Sequence, residues 1–243
     1  NTAYMLSTGM LLIFQPVQSA VFPRFTKLFA ADNTRQMSAT FHRTAQVVAV
    51  LSAAAACLLI FFSRELLLLW TQSEFVPIQA SVPLSLFGAA ALFNAMMAIP
   101  FMLQLATGMT WLPLYNNGIA LLVITPLLYF FVLHFGIGGG ALAWLLYNIA
   151  YFSILPHFMF RHVLAGEKRR WYFEDTLPFM IFALAVFFAV RLLCNAFSSP
   201  LVQFMLVALG VTVYFGGSVL FSRTLQSVLT STFPLQQYFR ASR

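Results

Sequence analysis

Apolar residues run along this chain in long blocks, and the blocks end at charges. Residues 1 to 23 contain no charged side chain, and neither do residues 44 to 63, between Arg43 and Arg64. A much longer uncharged run follows, from 75 to 160, between Glu74 and Arg161. About 20 apolar residues in a helix cross roughly 30 Å of hydrocarbon, so the first two runs hold one crossing each and the third has room for three. Pro83, the pair Gly108 and Pro113, and the glycines of "GIGGG" at 136–140 divide that third run. The pattern predicts spans at 3–22, 44–63, 81–105, 112–133, 139–160, 177–195 and 200–221. Pro178 and Pro200 fall near the starts of the last two, where a missing backbone N–H costs little.

Composition agrees. The chain of 243 residues is 61% hydrophobic and 8% charged, with a mean hydropathy of +0.86. A soluble domain carries roughly 25% charged residues, so the fold class is an all-α integral membrane protein of about seven transmembrane helices, one membrane domain over 1–243. The two cysteines, Cys57 and Cys194, sit in apolar runs and fit no metal or disulfide framework.

The positive charges set the orientation. Alternate loops (24–43, 106–111, 161–176 and the tail from 222) hold Arg24, Lys27, Arg35, Arg43, Arg161, Lys168, Arg169, Arg170, Arg223, Arg240 and Arg243. The opposite face holds only Arg64 and Arg191. The net charge of +7 therefore belongs to the cytoplasmic face, and cations sorted by span parity speak against a nucleic-acid partner. With the C-terminus cytoplasmic, seven spans place Asn1 outside with nothing to bring it there. The expectation is a C-terminal portion of a larger multi-pass protein.

The basic segment 24–43 is expected to be a cytoplasmic loop. Phe22, Phe25, Leu28 and Phe29 recur at helical spacing, with Arg24, Thr26 and Lys27 elsewhere around the turn. Two readings fit. One is an amphipathic helix in the headgroup layer, with Arg24, Lys27, Arg35, Arg43, Lys168, Arg169 and Arg170 toward anionic lipid. The other is a solvated connector whose cations only fix topology. Trp70, Trp111 and Trp171 are expected at the interfaces.

At membrane depth the polar groups are amides and phenols. Gln15, Gln18 and Ser19 form an i, i+3, i+4 stripe beside Pro16. Asn94 and Gln104 fall in the third span, which Pro100 can kink. Asn116, Asn117 and Thr125 lie in the fourth, and Tyr147, Asn148 and Tyr151 share a face of the fifth. An unpaired amide in hydrocarbon costs several kcal/mol, so these groups either bond between helices or line a wet cavity. As a substrate pathway they suit a hydroxyl-rich ligand such as a sugar, to which they both donate and accept. No catalytic constellation emerges. His42, His134, His157 and His162 have no Cys, Asp or Glu at ligand spacing, and no metal, cofactor or phosphate-loop motif is present. "GIGGG", "GAAA" (88–91) and "AAAA" (53–56) read as close helix packing.

The run "LLIFQPVQSAVFPRFTKLFAADNTRQMSATFHRTAQVVAVLSAAAACLLIFFSRELLLLWTQ" (11–72) resembles the polysaccharide-export flippases. These are the carriers of lipid-linked oligosaccharides of the O-antigen type, within the superfamily that includes multidrug extrusion and lipid II flippases. The matching features are a helix ending in a proline, a basic helix, a long apolar span and the short "RELLLLWTQ" segment. The stretch "LATGMTWLPLYNNGIALLVITPLLYFFVLHFGIGGGALAWLLYN" (105–148) is similar to that family's paired helices. The resemblance implies two helical lobes around a central cavity, of which this chain supplies spans eight to fourteen. It implies alternating access in the bacterial inner membrane, moving a lipid-linked glycan with no enzymatic step. It also implies a missing N-terminal lobe and membrane lipids as partners, with glycan polymerase or export machinery nearby. Cationic cavity residues common in the family are absent from these spans, so they lie in the other lobe or the substrate is neutral.

Rival classes are a multidrug carrier of the same architecture, a membrane-embedded glycan polymerase or acyltransferase, and a scaffold. The first calls for an intramembrane acid, and the second for a large outer loop or an interfacial His/Asp/Arg cluster. The topology is directly testable. Single cysteines replacing Lys27 and Lys168, in a background without Cys57 and Cys194, are expected to label from the same side of the membrane; opposite sides would refute it.

Overall fold

The computed structural model describes residues 15–197, 199–222 and 224–227, with Met5 and Gly9 besides. Its elements are α1 (Gln15–Ala30), α2 (Thr34–Phe61), α3 (Ser63–Thr71), α4 (Phe75–Met96), α5 (Ala98–Ala106) and α6 (Trp111–His162). There follow α7 (Lys168–Arg170), a π-helical segment (Trp171–Thr176), α8 (Leu177–Ala196) and α9 (Pro200–Phe221). No strand occurs among the described residues. Five helical stretches are long and apolar enough to cross a membrane: Thr34–Phe61, Phe75–Ala106, Trp111–His162, Lys168–Ala196 and Pro200–Phe221. Half of the span expected at 3–22 lies outside the described residues, and its end, from Gln15, forms the start of α1.

Of the two readings of 24–43, helix and connector, helix holds for most of the segment. Helix α1 continues through Pro23 to Ala30, and α2 begins at Thr34, so the connection is three residues. Asp32 takes a left-handed conformation at φ 50°, which a short polar side chain tolerates. The Asn33 side chain then accepts from the Gln36 N–H at 3.1 Å and caps α2. Phe25 points into the core, fully buried, while Phe22 and Phe29 remain exposed.

Helix α2 is the centre of the packing; α1, α4, α5, α8, α9 and the π-segment all touch it. Its buried Ala45, Ala49, Ala53 and Ala56 recur every three or four residues and let neighbours come close. Gly88 of α4 uses that space: a Cβ there would stand 2.7 Å from Leu59 Cβ. Helices α8 and α9 are equally close, with Gly210 against Val190 and Gly217 against Phe182. Helix α4 gives way to α5 at Met97. Pro100 has no N–H for the Met96 carbonyl and its ring would clash with it, so the helix breaks there.

Helix α6 is two antiparallel arms. Gly136 has φ 58° and ψ −139°, outside helical geometry. Unbroken, a helix would hold Trp111 and His162 about 75 Å apart, yet their rings lie 5.6 Å apart. The arms correspond to the spans expected at 112–133 and 139–160. Gly139 fits the hairpin because a Cβ there would fall 2.0 Å from the Phe131 carbonyl oxygen. Trp70 and Trp111 are exposed, and Trp171 is fully buried among Phe152, Phe160 and Tyr172, so its ring packs inside the protein.

Gly139→Ala is expected to cost about 1–3 kcal/mol through forced backbone movement. Gly138→Ala, where a Cβ meets nothing within 4 Å, is expected to leave the thermal unfolding of the detergent-solubilised protein nearly unchanged.

Candidate functional site

Four of the polar residues singled out in the sequence meet at one cavity. Gln15 and Gln18 of α1, Asn94 of α4 and Tyr151 of the second α6 arm line a space of about 320 Å³. Ala95, Met97, Ala98 and Phe101 complete its wall. Geometry explains the convergence. The i, i+3 spacing puts both glutamines on one face of α1, while the break at Met97 tilts α5, which packs along α1. Ser19, the third member of the stripe, is spent on its own helix, donating to the Gln15 carbonyl at 3.0 Å.

Behind Asn94 the amides pair. Asn94 Nδ2 donates to Asn148 Oδ1 at 2.9 Å, and Asn148 Nδ2 donates to the Trp144 carbonyl at 2.8 Å. Asn148 is fully buried and does not reach the cavity wall; it holds Asn94 in place. Tyr147 stacks on Tyr151, centroids 6.0 Å apart, and its hydroxyl accepts from Asn116 Nδ2 at 3.0 Å across the α6 hairpin. Asn116, Tyr147 and Tyr151 also border a second, mostly apolar space of about 420 Å³ between the arms, with Trp111, Ile119 and Phe158. Asn117 sits on the exposed side of its arm, away from both spaces. Thr125 is turned onto its own helix, donating to the Leu121 carbonyl at 2.7 Å. Gln104 is fully buried with neither amide atom partnered among the described residues.

The cavity lining carries no charge. Its donors and acceptors are neutral amides and a phenol, which recognise hydroxyl groups and leave ions without a counter-charge. No group of three His, Cys, Asp or Glu side chains among the described residues is placed to hold a metal ion.

The basic residues collect elsewhere. Arg24, Lys27, Arg35, Arg169 and Arg170 are exposed, and Arg43 and Lys168 are half-buried. Lys168 Nζ donates to His157 Nδ1 at 3.1 Å, and Arg170 Nε pairs with Glu174 at 3.2 Å. The start of α2 lies against residues 167–175, so these cations share one end of the bundle. At another point Arg191 pairs with Glu65 of α3 at 2.5 Å and lies over the Phe62 ring, which accounts for its place in an apolar helix.

Sequence reasoning missed one cluster. His42 lies between Asp175 and Glu167, carboxylates more than a hundred residues away in the chain. Spacing along the chain could not reveal them. The available signal was on α2 itself: Ser38, His42 and Gln46 repeat every four residues, a polar stripe on a helix that is otherwise apolar on that side.

A double-mutant cycle of Asn94→Ala and Asn148→Ala, read by thermal unfolding, is expected to return a coupling of about 0.6 kcal/mol and no more than about 1.7, the span for interhelical bonds in membrane proteins. Set against known proteins, the chain matches no family model, no curated protein and no solved structure.

Proposed function

We propose that this chain is part of a carrier that moves a lipid-linked oligosaccharide across the bacterial inner membrane by alternating access, without catalysing a reaction. In this reading the chain crosses the bilayer seven times. The α6 arms count as two crossings, and a first crossing ends in α1. It is one lobe of two, with its basic end and C-terminus cytoplasmic. Its partners are membrane lipid, the lipid-linked glycan, the N-terminal lobe and neighbouring export machinery.

The observation that carries the proposal is the uncharged polar cavity of Gln15, Gln18, Asn94 and Tyr151 in a chain otherwise built of apolar helices. A protein that only needed its helices glued together would pair these groups with one another, as Asn94 and Asn148 do. Gln15 and Gln18 instead face open space beside Tyr151. An amide-lined cavity offers hydrogen bonds to sugar hydroxyls that exchange readily with water, which a carrier needs in order to release what it binds. The resemblance of residues 11–72 and 105–148 to the export flippases points the same way. A multidrug carrier would place an acid on the cavity, whereas the one fully buried acid among the described residues, Asp175, is tied to His42 near the basic end.

In the intact protein, Gln15→Leu and Gln18→Leu are each expected to lower glycan export several-fold with membrane levels unchanged. Full export in both variants, measured at matched protein levels, removes the cavity from the pathway.

A further inference from the structure

A third space opens at the basic end, between the π-helical segment and the start of α8 on one side and the end of α9 on the other. Its volume is about 530 Å³, within the range of about 300–1,000 Å³ that small-molecule sites occupy. It shares no lining residue with the Gln15 cavity. Phe182 forms its inner side. Gly217 leaves room for that ring, which packs against Tyr214 at 5.6 Å and Phe221 at 5.7 Å.

The lining changes in character with depth. Arg170 and Glu174 stand just before α8, and Thr224 just past the end of α9, so the charges lie at the rim. Ser222 comes next, and Ser218, Phe179 and Phe182 follow one to two turns further into the bundle. At about 1.5 Å per residue, Phe182 lies about 12 Å below Glu174 along the axis. Exposure falls in the same order: Arg170 and Glu174 are 49% and 63% exposed, whereas Phe179 and Ser218 are buried. A charged rim, hydroxyls below it and aromatic rings at the bottom repeat the order of a glycerophospholipid, from headgroup through glycerol esters to acyl chain. Phe221, exposed on α9 beside the opening, gives the chain an apolar way in from the bilayer.

The rim carries both signs of charge. Arg170 Nε donates to Glu174 Oε2 at 3.2 Å, and its Nη1 stands 3.9 Å from Glu167. An exposed pair of this kind is weak, so it opens readily to a ligand that satisfies both members. The guanidinium fork suits a phosphate, and the Glu174 carboxylate suits an ammonium. A ligand with a phosphate alone would set its charge against Glu174. Deeper in, Ser218 is fully buried and its hydroxyl is unpartnered among the described residues. Ser19, Thr125 and Ser153 spend theirs on the carbonyl one turn back; Ser218 does not, which leaves it a donor for an ester carbonyl. The neighbouring polar groups are already satisfied. Gln46 Nε2 donates to Asp175 at 2.8 Å, and Ser222 Oγ donates to Gln46 Oε1 at 2.6 Å, so these two fix the wall.

We propose that this cleft binds one phospholipid whose headgroup carries both a phosphate and a primary ammonium. The phosphate sits at Arg170, the ammonium at Glu174, an ester carbonyl at Ser218 and an acyl chain on Phe179 and Phe182. The lipid bridges α8 and α9 at the basic end. The site is independent of what the chain transports. It also differs from a general attraction of the basic residues for anionic lipid, in which an acid has no part.

The test is native mass spectrometry of the delipidated full-length protein, with dioleoyl phosphatidylethanolamine, phosphatidylglycerol or phosphatidylcholine added at equal concentration. The native protein is expected to retain one phosphatidylethanolamine several-fold more than either of the others, because phosphatidylglycerol has no ammonium and phosphatidylcholine has no N–H to donate. Glu174→Gln is expected to bring phosphatidylethanolamine down to the level of phosphatidylglycerol, and Arg170→Gln to lower its retention several-fold. Both side chains are exposed, so neither change threatens the fold. Equal retention of the three lipids by the native protein, a preference for phosphatidylglycerol, a preference that survives Glu174→Gln, or retention unchanged in Arg170→Gln would each overturn the proposal.

Discussion

A polar group surrounded by hydrocarbon must find a partner or lose several kcal/mol. The backbone meets this demand by staying helical, so connections are kept short or placed at helix ends. The side chains meet it in three ways. Serines and threonines bond the carbonyl one turn back, as Ser19, Thr125 and Ser153 do. Amides pair between helices, as Asn94 pairs with Asn148. Ionisable groups pair, His42 with Asp175 and Glu167, and Arg191 with Glu65. Gln15 and Gln18 follow none of these routes and border the cavity beside Tyr151, and Gln104 is buried with neither amide atom partnered among the described residues.

The bundle is assembled on a stripe of alanines. In a membrane, apolar side chains gain nothing by leaving lipid for protein, so association depends on close fit and shared hydrogen bonds. Ala45, Ala49, Ala53 and Ala56 provide that fit on α2, and Gly88 answers them from α4. Several elements can therefore gather on one helix. The first α6 arm behaves differently: Leu114, Leu121, Leu122 and Tyr129 are all exposed. The same arm contributes Asn116 to Tyr147, so the hairpin at Gly136 shapes the space next to the cavity as well as the fold.

The cavity and the His42 cluster lie on different residues but share supports. Helix α2 carries Ser38, His42 and Gln46 toward the 167–175 segment and, further along, the small residues on which α4 rests. Helix α4 in turn brings Asn94 to the cavity. A change in how α2 is held against the 167–175 segment and α9 thus acts on an element packed directly against the cavity wall.

Reading the residues alone was sufficient for what depends on local composition. Runs of apolar residues bounded by charges give the apolar stretches of α2, α4, α6, α8 and α9, the break at the glycines near 136 and the kink near Pro100, because each is decided within a few residues by hydropathy, ring sterics or a missing Cβ. The i, i+3 stripe of Gln15 and Gln18 was legible for the same reason. The segment 24–43 could be read from its residues either as an amphipathic helix or as a connector, and the cap that starts α2 at Asn33 is seen only in the structure. Asn117 was grouped with Asn116 by adjacency, although neighbours in a helix point about 100° apart and only one of them reaches Tyr147. The meeting of His42 with Asp175 and Glu167, and of Asn94 with Asn148, belongs to the tertiary structure alone. Such contacts depend on how helices are rotated and offset against each other, and that is settled by the summed fit of many side chains across the bundle, which no single stretch of sequence contains.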